Sequence, residues 1–92
     1  MAVDEKAARL FKCLSHPTRL SIVRKLADGK VCVQKFVKEL GIRQPNVSQH
    51  LAVLRQCGLV KSKREGSKVC YYLEHQGLAE VIDFARNIAK KM

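Results

Sequence analysis

A mainly α fold of about five helices with one small β-hairpin is predicted by three features of the 92-residue sequence. Apolar residues recur at i, i+3, i+4 and i+7 in separate stretches, the spacing of helices buried along one side. Before the last of these stretches the period drops to two, as in paired strands. Proline or glycine stands at most of the joints, which keeps the helices short. The expectation is one domain over residues 1–92.

The first helix is expected at about 4–14, with Ala7, Leu10, Phe11 and Leu14 as its apolar stripe. Ser15-His16-Pro17 interrupts it, and Pro17 suits the first position of a second helix, where an N–H would go unpaired anyway. That helix spans about 17–27, carries Leu20, Val23, Leu26 and Ala27 on one face, and stops at Asp28-Gly29. The run from Lys30 to Val33 is too short to settle by periodicity, and an isolated strand is one option. Val33, Phe36, Val37 and Leu40 predict a third helix at 33–40, closed by Gly41. A fourth, at 45–57, opens at Pro45 and buries Val47, Leu51 and Leu54. Residues 60–73 form the hairpin around Glu65-Gly66-Ser67, with Val69, Tyr71 and Leu73 on one face. A fifth helix at 77–90 lines up Leu78, Val81, Ile82, Ala85, Ile88 and Ala89, with Phe84 off the stripe and suggestive of a subunit contact.

The composition, 47% hydrophobic and 28% charged, is that of an ordinary globular domain. A chain this short buries only about 60–65% of its unfolded surface, so its core is modest and a second subunit is expected. Eighteen Lys plus Arg oppose eight Asp plus Glu, leaving a net +10 that favours a polyanionic partner. The charge is spread along the chain with no basic tail, so any polyanion site has to be built by folding. No apolar run approaches the roughly 20 residues of a membrane span. The acidic start, MAVDEK, is unlike a secretion signal. A cytoplasmic protein with no membrane partner is therefore expected, its four cysteines held as thiols and not disulfides.

Two short helices joined through Gly41-Ile42-Arg43-Gln44 have the form of a helix-turn-helix. With Val47, Leu51 and Leu54 turned inward, Asn46, Ser48, Gln49, Ala52, Arg55 and Gln56 lie outside or on the border of the core. Asn and Gln pair with adenine edges, Arg with guanine, and Ser with bases or phosphates. A polar helix face alone is usually only solvated. Here a hairpin follows, with Lys61, Lys63, Arg64 and Lys68 flanking its tip, where cations reach phosphate or the minor groove. A helix-turn-helix followed by a basic hairpin is a winged helix-turn-helix, with a two-stranded wing. An enzyme is not expected: there is no Gly-rich phosphate loop, nucleophile elbow or HExxH, and the chain leaves little volume for a substrate pocket.

The run from His16 to Glu74 resembles the arsenic-repressor (ArsR/SmtB) family of winged-helix transcriptional repressors. HPTRL opens the second helix, QPNVSQHLAVLR fills the recognition helix, GLV follows it, and REG and YYL lie in the wing. The resemblance covers about residues 7–75. It implies a homodimer, paired through its first and last helices, that binds double-stranded operator DNA and releases it on sensing an inducer. By position it implies DNA contacts from Gln44, Asn46, Ser48, Gln49 and His50, and from the wing's Lys63, Arg64, Gly66 and Lys68. Arg55 joins this set from its outward place on the recognition helix.

Cys13, Cys32, Cys57 and Cys70 show no paired zinc-ligand spacing. Metalloid-sensing members of the family carry Cys-Val-Cys where this chain has Cys32-Val33-Gln34, and an amide is a poor ligand for a soft ion. A thiolate site at Cys32 therefore needs a cysteine from elsewhere. Cys13 and Cys57 are readable as small packed residues or as sensors. Cys70 falls out of phase with Val69 and Tyr71, on the wing's other face, where an exposed and oxidisable thiol is one reading. His16 reads as a cap or turn residue and His75 as exposed at the wing–helix junction, while His50 either touches DNA or packs behind its helix. Glu80 and Asp83 read as a solvated acidic patch.

The expected function is a homodimeric, sequence-specific repressor released by a thiol-reactive inducer, Cys32 being the first sensing candidate. No cofactor is required, though a thiophilic metal or metalloid ion would serve as inducer. The alternative is a constitutive winged-helix module, for DNA or protein, with no inducer.

Overall fold

The computed structural model describes residues 2–92. Eight elements follow one another: α1 (Val3–Leu14), α2 (Pro17–Leu26), β1 (Val31–Cys32), α3 (Val33–Leu40), α4 (Gln44–Gln56), β2 (Val60–Glu65), β3 (Lys68–Leu73) and α5 (Leu78–Lys90). All five helices and the hairpin stand where the sequence predicts, with ends within a residue or so.

Local chemistry explains the joints. His16 caps α2, its Nδ1 accepting the Thr18 N–H at 3.0 Å, while Pro17 occupies the first turn. Gly41 ends α3 at φ 65°, a left-handed conformation that a side chain would strain, and so permits the sharp turn into α4. Gly66 does the same for the hairpin tip at φ 62°.

The core is made where α2, α3 and α4 converge. Phe36, Ile22, Val23, Val47, Leu51 and Leu54 are fully buried there, joined by Leu26. Lys25 of α2 reaches Glu39 of α3 at 2.6 Å, and Arg24 of α2 reaches Asp83 of α5 at 2.9 Å. Asp83 is thus paired across two helices and not simply part of a solvated patch.

Three expectations are corrected. The sheet has three strands and not two, in the order β1-β3-β2. Val31 and Cys32 pair with Tyr71 and Cys70 along the free edge of β3, a contact between distant segments that periodicity in a two-residue strand does not reveal. Next, Phe11 is 59% exposed and Ile88 64% exposed, and Ala7, Ala85 and Ala89 are exposed too, although all five were expected in buried stripes. Helix α5 packs chiefly on α2, and its residues from Asp83 onward are exposed. Finally, the cysteines are not four separate thiols. Cys13 is bonded to Cys57 and Cys32 to Cys70. Cys70 is only 1% exposed, because β1 lies alongside it with Cys32 directly opposite.

Candidate nucleic-acid interface

Helix α4 offers one fully polar side. Gln44, Asn46, Ser48, Gln49, Arg55 and Gln56 are exposed, while Val47, Leu51 and Leu54 hold the helix to the core. No side chain caps its N-terminus; Pro45 has no N–H, and the Asn46 and Val47 N–H groups donate to the Arg43 carbonyl at 3.0 and 3.1 Å. Gln44, at the head of this side, accepts a hydrogen bond from the Gln34 side-chain amide at 3.0 Å. Gln34 is the residue that breaks the Cys-Val-Cys pattern, and it fixes the orientation of Gln44. Sequence reasoning missed that role, since nothing in a ten-residue separation signals a contact.

His50 is placed differently from its neighbours. It is half-buried, its ring centroid 4.3 Å from that of His16. Burial lowers its pKa, and electrostatic interaction with His16 and Arg19 lowers it further. The ring lies against His16, the N-cap residue of α2.

The wing meets α4 from one side. Arg55 Nη1 donates to Ser62 Oγ at 3.4 Å, linking the end of α4 to β2. In the hairpin register Lys63 lies opposite Cys70, Arg64 opposite Val69, and Glu65 opposite Lys68. Two basic residues are neutralised locally. Lys30 pairs with Glu65 at 2.6 Å, and its hydrogen bond holds the Glu65 carboxyl below the usual range. Lys61 pairs with Glu74 at 3.1 Å, and that hydrogen bond raises the Lys61 pKa. Lys63, Arg64 and Lys68 are exposed and form no salt bridge among the described residues. Those three cations are therefore available to an external anion.

Wing and helix share a cleft of about 240 Å³ lined by Cys32, Gln34, Gln44, Ser48, Lys68 and Tyr71 among others. Polar groups of α4, a free lysine of the wing and one half of a cysteine pair thus face a single space. Among the described residues no three His, Cys, Asp or Glu side chains gather as a metal cluster. No described helix is long and apolar enough to cross a membrane.

Residues 16–62 match the bacterial regulatory protein, arsR family. The chain belongs to the arsR family. It is 43% identical over 79 residues to an HTH-type transcriptional regulator of Methanocaldococcus jannaschii, covering 85% of this chain and 89% of the relative. It is 35% identical to a probable mercury resistance operon repressor of Streptomyces lividans, over 92% of this chain and 68% of the relative. Among solved structures it is similar to a homodimeric winged helix-turn-helix DNA-binding domain from Mycobacterium bovis. That match has a TM-score of 0.80 and 28% identity, and covers 95% of this chain and 81% of the other. The arsR family is one of transcriptional regulators and not of enzymes, and the winged helix-turn-helix is its DNA-binding fold.

Proposed function

We propose that this arsR-family chain is a homodimeric repressor that reads operator DNA with α4 and releases it when a thiol-reactive inducer acts on Cys32 and Cys70. The observation that carries this is the shared cleft, where exposed Gln44 and Ser48 of α4, unpaired Lys68 of the wing, and Cys32 line one space. Asn46, Ser48, Gln49 and Arg55 supply base reading, with Gln44 oriented by Gln34. Lys63, Arg64 and Lys68 supply salt-dependent phosphate attraction. His50 supports the helix from behind through its contact with His16.

Dimerisation is supported by the apolar groups left uncovered on α1 and α5. Val3, Phe11, Phe84 and Ile88 are 59–79% exposed, which is costly for a monomer in water. A two-fold dimer would set the two α4 helices in successive major grooves about 34–36 Å apart. The family likeness to a homodimeric domain agrees with this.

Cys70 provides the second sulfur that Cys32 lacks within its own box. Reduced, the two form a dithiol suited to a soft cation or to arsenite, each thiol giving up its proton on ligation. Oxidised, they pin the wing strand to the start of α3. Either event shifts DNA affinity only through a difference between the bound and released geometries. No cofactor is required for DNA binding.

The deciding experiment measures DNA binding by the reduced protein with and without arsenite, cadmium, zinc, persulfide and peroxide. At least one inducer is expected to weaken binding, and Cys32→Ser or Cys70→Ser to abolish that response. Unchanged responses in both variants would move the sensor away from Cys32 and Cys70, and no response of the wild-type chain to any of these inducers would leave a constitutive DNA-binding module.

A further inference from the structure

We propose that Cys57, with Cys13 behind it, is a thiol–disulfide exchange site for anionic low-molecular-weight thiols and disulfides. The second cysteine pair lies away from the wing. Its Cα atoms are 6.5 Å apart, within the range that a disulfide spans without moving the backbone. The two ends are unequal. Cys13 is 7% exposed and packed in the core cluster, whereas Cys57 caps the C-terminus of α4 and lines a cleft of about 340 Å³.

The rest of that cleft defines what enters it. Leu10 and Leu59 contribute apolar surface, and Lys6, Arg9 and His75 contribute the polar side chains, with no carboxylate in the lining. Lys6 and Arg9 form no salt bridge among the described residues. Two cations that line the same cleft as Cys57, without a salt bridge among the described residues, attract an anionic reagent.

The chemistry balances with such a reagent alone. A small thiolate attacks Cys57 Sγ, the bond to Cys13 breaks, and Cys13 leaves as a thiolate that takes a proton from water. A second small thiolate then attacks the reagent sulfur of the mixed disulfide, releasing Cys57 and the oxidised reagent. The bridge gains two electrons and two reagent thiols lose them. In the reverse direction the Cys57 thiolate attacks an anionic disulfide and releases one reagent thiolate, and the Cys13 thiolate then attacks Cys57 Sγ of the mixed disulfide, closing the bridge and releasing the second.

The bridge joins α1, which bears exposed Val3 and Phe11, to the end of α4, which bears the exposed polar side. Closing it couples the proposed subunit contact to the proposed DNA contact. That consequence rests on the DNA-binding reading, whereas the exchange chemistry does not.

The test starts from the fully reduced chain, treated at low salt with equal concentrations of oxidised glutathione, neutral bis(2-hydroxyethyl) disulfide or cationic cystamine. Products are trapped by alkylation and read peptide by peptide, so the Cys32–Cys70 pair is scored separately. Oxidised glutathione is expected to form the Cys13–Cys57 bridge at least about tenfold faster than cystamine. The preference should disappear in Lys6→Gln/Arg9→Gln, and also near 1 M salt, where the Debye length falls to about 3 Å. Cys13→Ser is expected to accumulate a mixed disulfide on Cys57. Equal rates for the anionic and cationic reagents, or a Cys13→Ser chain without adduct on Cys57, would overturn the exchange site. Operator binding is then compared for bridged and reduced protein. Equal affinities overturn the coupling, and absence of operator binding in both forms overturns the DNA-binding reading. Neither result alters the charge-selectivity measurement.

Discussion

Helices α4 and α5 are equally long, thirteen residues each, yet they present opposite surfaces. In α4 Val47, Leu51 and Leu54 are completely buried, and the outer side is built of amides, a hydroxyl and an arginine. In α5 Leu78 and Ile82 are buried, but Phe84 is 69% and Ile88 64% exposed. The first surface suits water or a polyanion, because its groups stay hydrogen-bonded in either setting. The second suits another apolar surface, since about 1.5–3 kcal/mol is gained for each such side chain removed from water. The contrast separates what reads from what pairs.

The largest expected effect lies on α5. Phe84→Glu combined with Ile88→Glu should lower the dimerisation constant at least about a thousandfold, since four apolar side chains leave a two-fold contact. Sedimentation should then show monomer, with a melting midpoint of the monomeric fold close to that of wild type. A dimer that survives the double substitution would place the subunit contact elsewhere. On α4 the comparable apolar change acts on folding instead. Leu51→Ala should cost about 2–5 kcal/mol in urea unfolding, because it empties a fully buried site.

Smaller effects sharpen the division within the DNA-facing side. Gln49→Ala should reduce discrimination between operator and random DNA by about 1–3 kcal/mol. Lys68→Ala should weaken both alike and reduce the salt slope by about 0.9 for each subunit, about 1.8 for the dimer. If Gln49→Ala leaves the discrimination intact, α4 does not read bases at that position.

The smallest effect is a pH dependence at the back of α4. The His50 pKa is lowered from 6.5, chiefly by burial and then by His16 and Arg19. The unfolded chain therefore binds this proton more readily than the folded one. Stability should be flat above pH 6.5 and fall as the pH drops from there to the folded-state pKa. His50→Gln should remove that part of the slope in a series of thermal melts.

Much of this contrast is legible in one dimension. Spacing locates Val47, Leu51 and Leu54 on one side of α4, because a helix repeats every 3.6 residues wherever it lies. The same rule misplaces Ile88 and Phe11, for periodicity tells which residues share a side but not whether anything covers it. The family resemblance rested on contiguous motifs, and contiguous motifs survive without a structure.

By itself the sequence determined the helices, the hairpin, the turn at Gly41 and the excess of positive charge, all consequences of neighbouring residues acting on one another. The tertiary structure alone decided which charges are paired: Lys30 and Lys61 find Glu65 and Glu74, while Lys63, Arg64 and Lys68 form no salt bridge among the described residues. It alone set Gln34 against Gln44, His50 against His16, Cys32 beside Cys70 and Cys13 beside Cys57. The cysteine pairs are separated by 38 and 44 residues, and a contact across such a distance is made by packing of whole elements, which leaves no periodic trace in the chain.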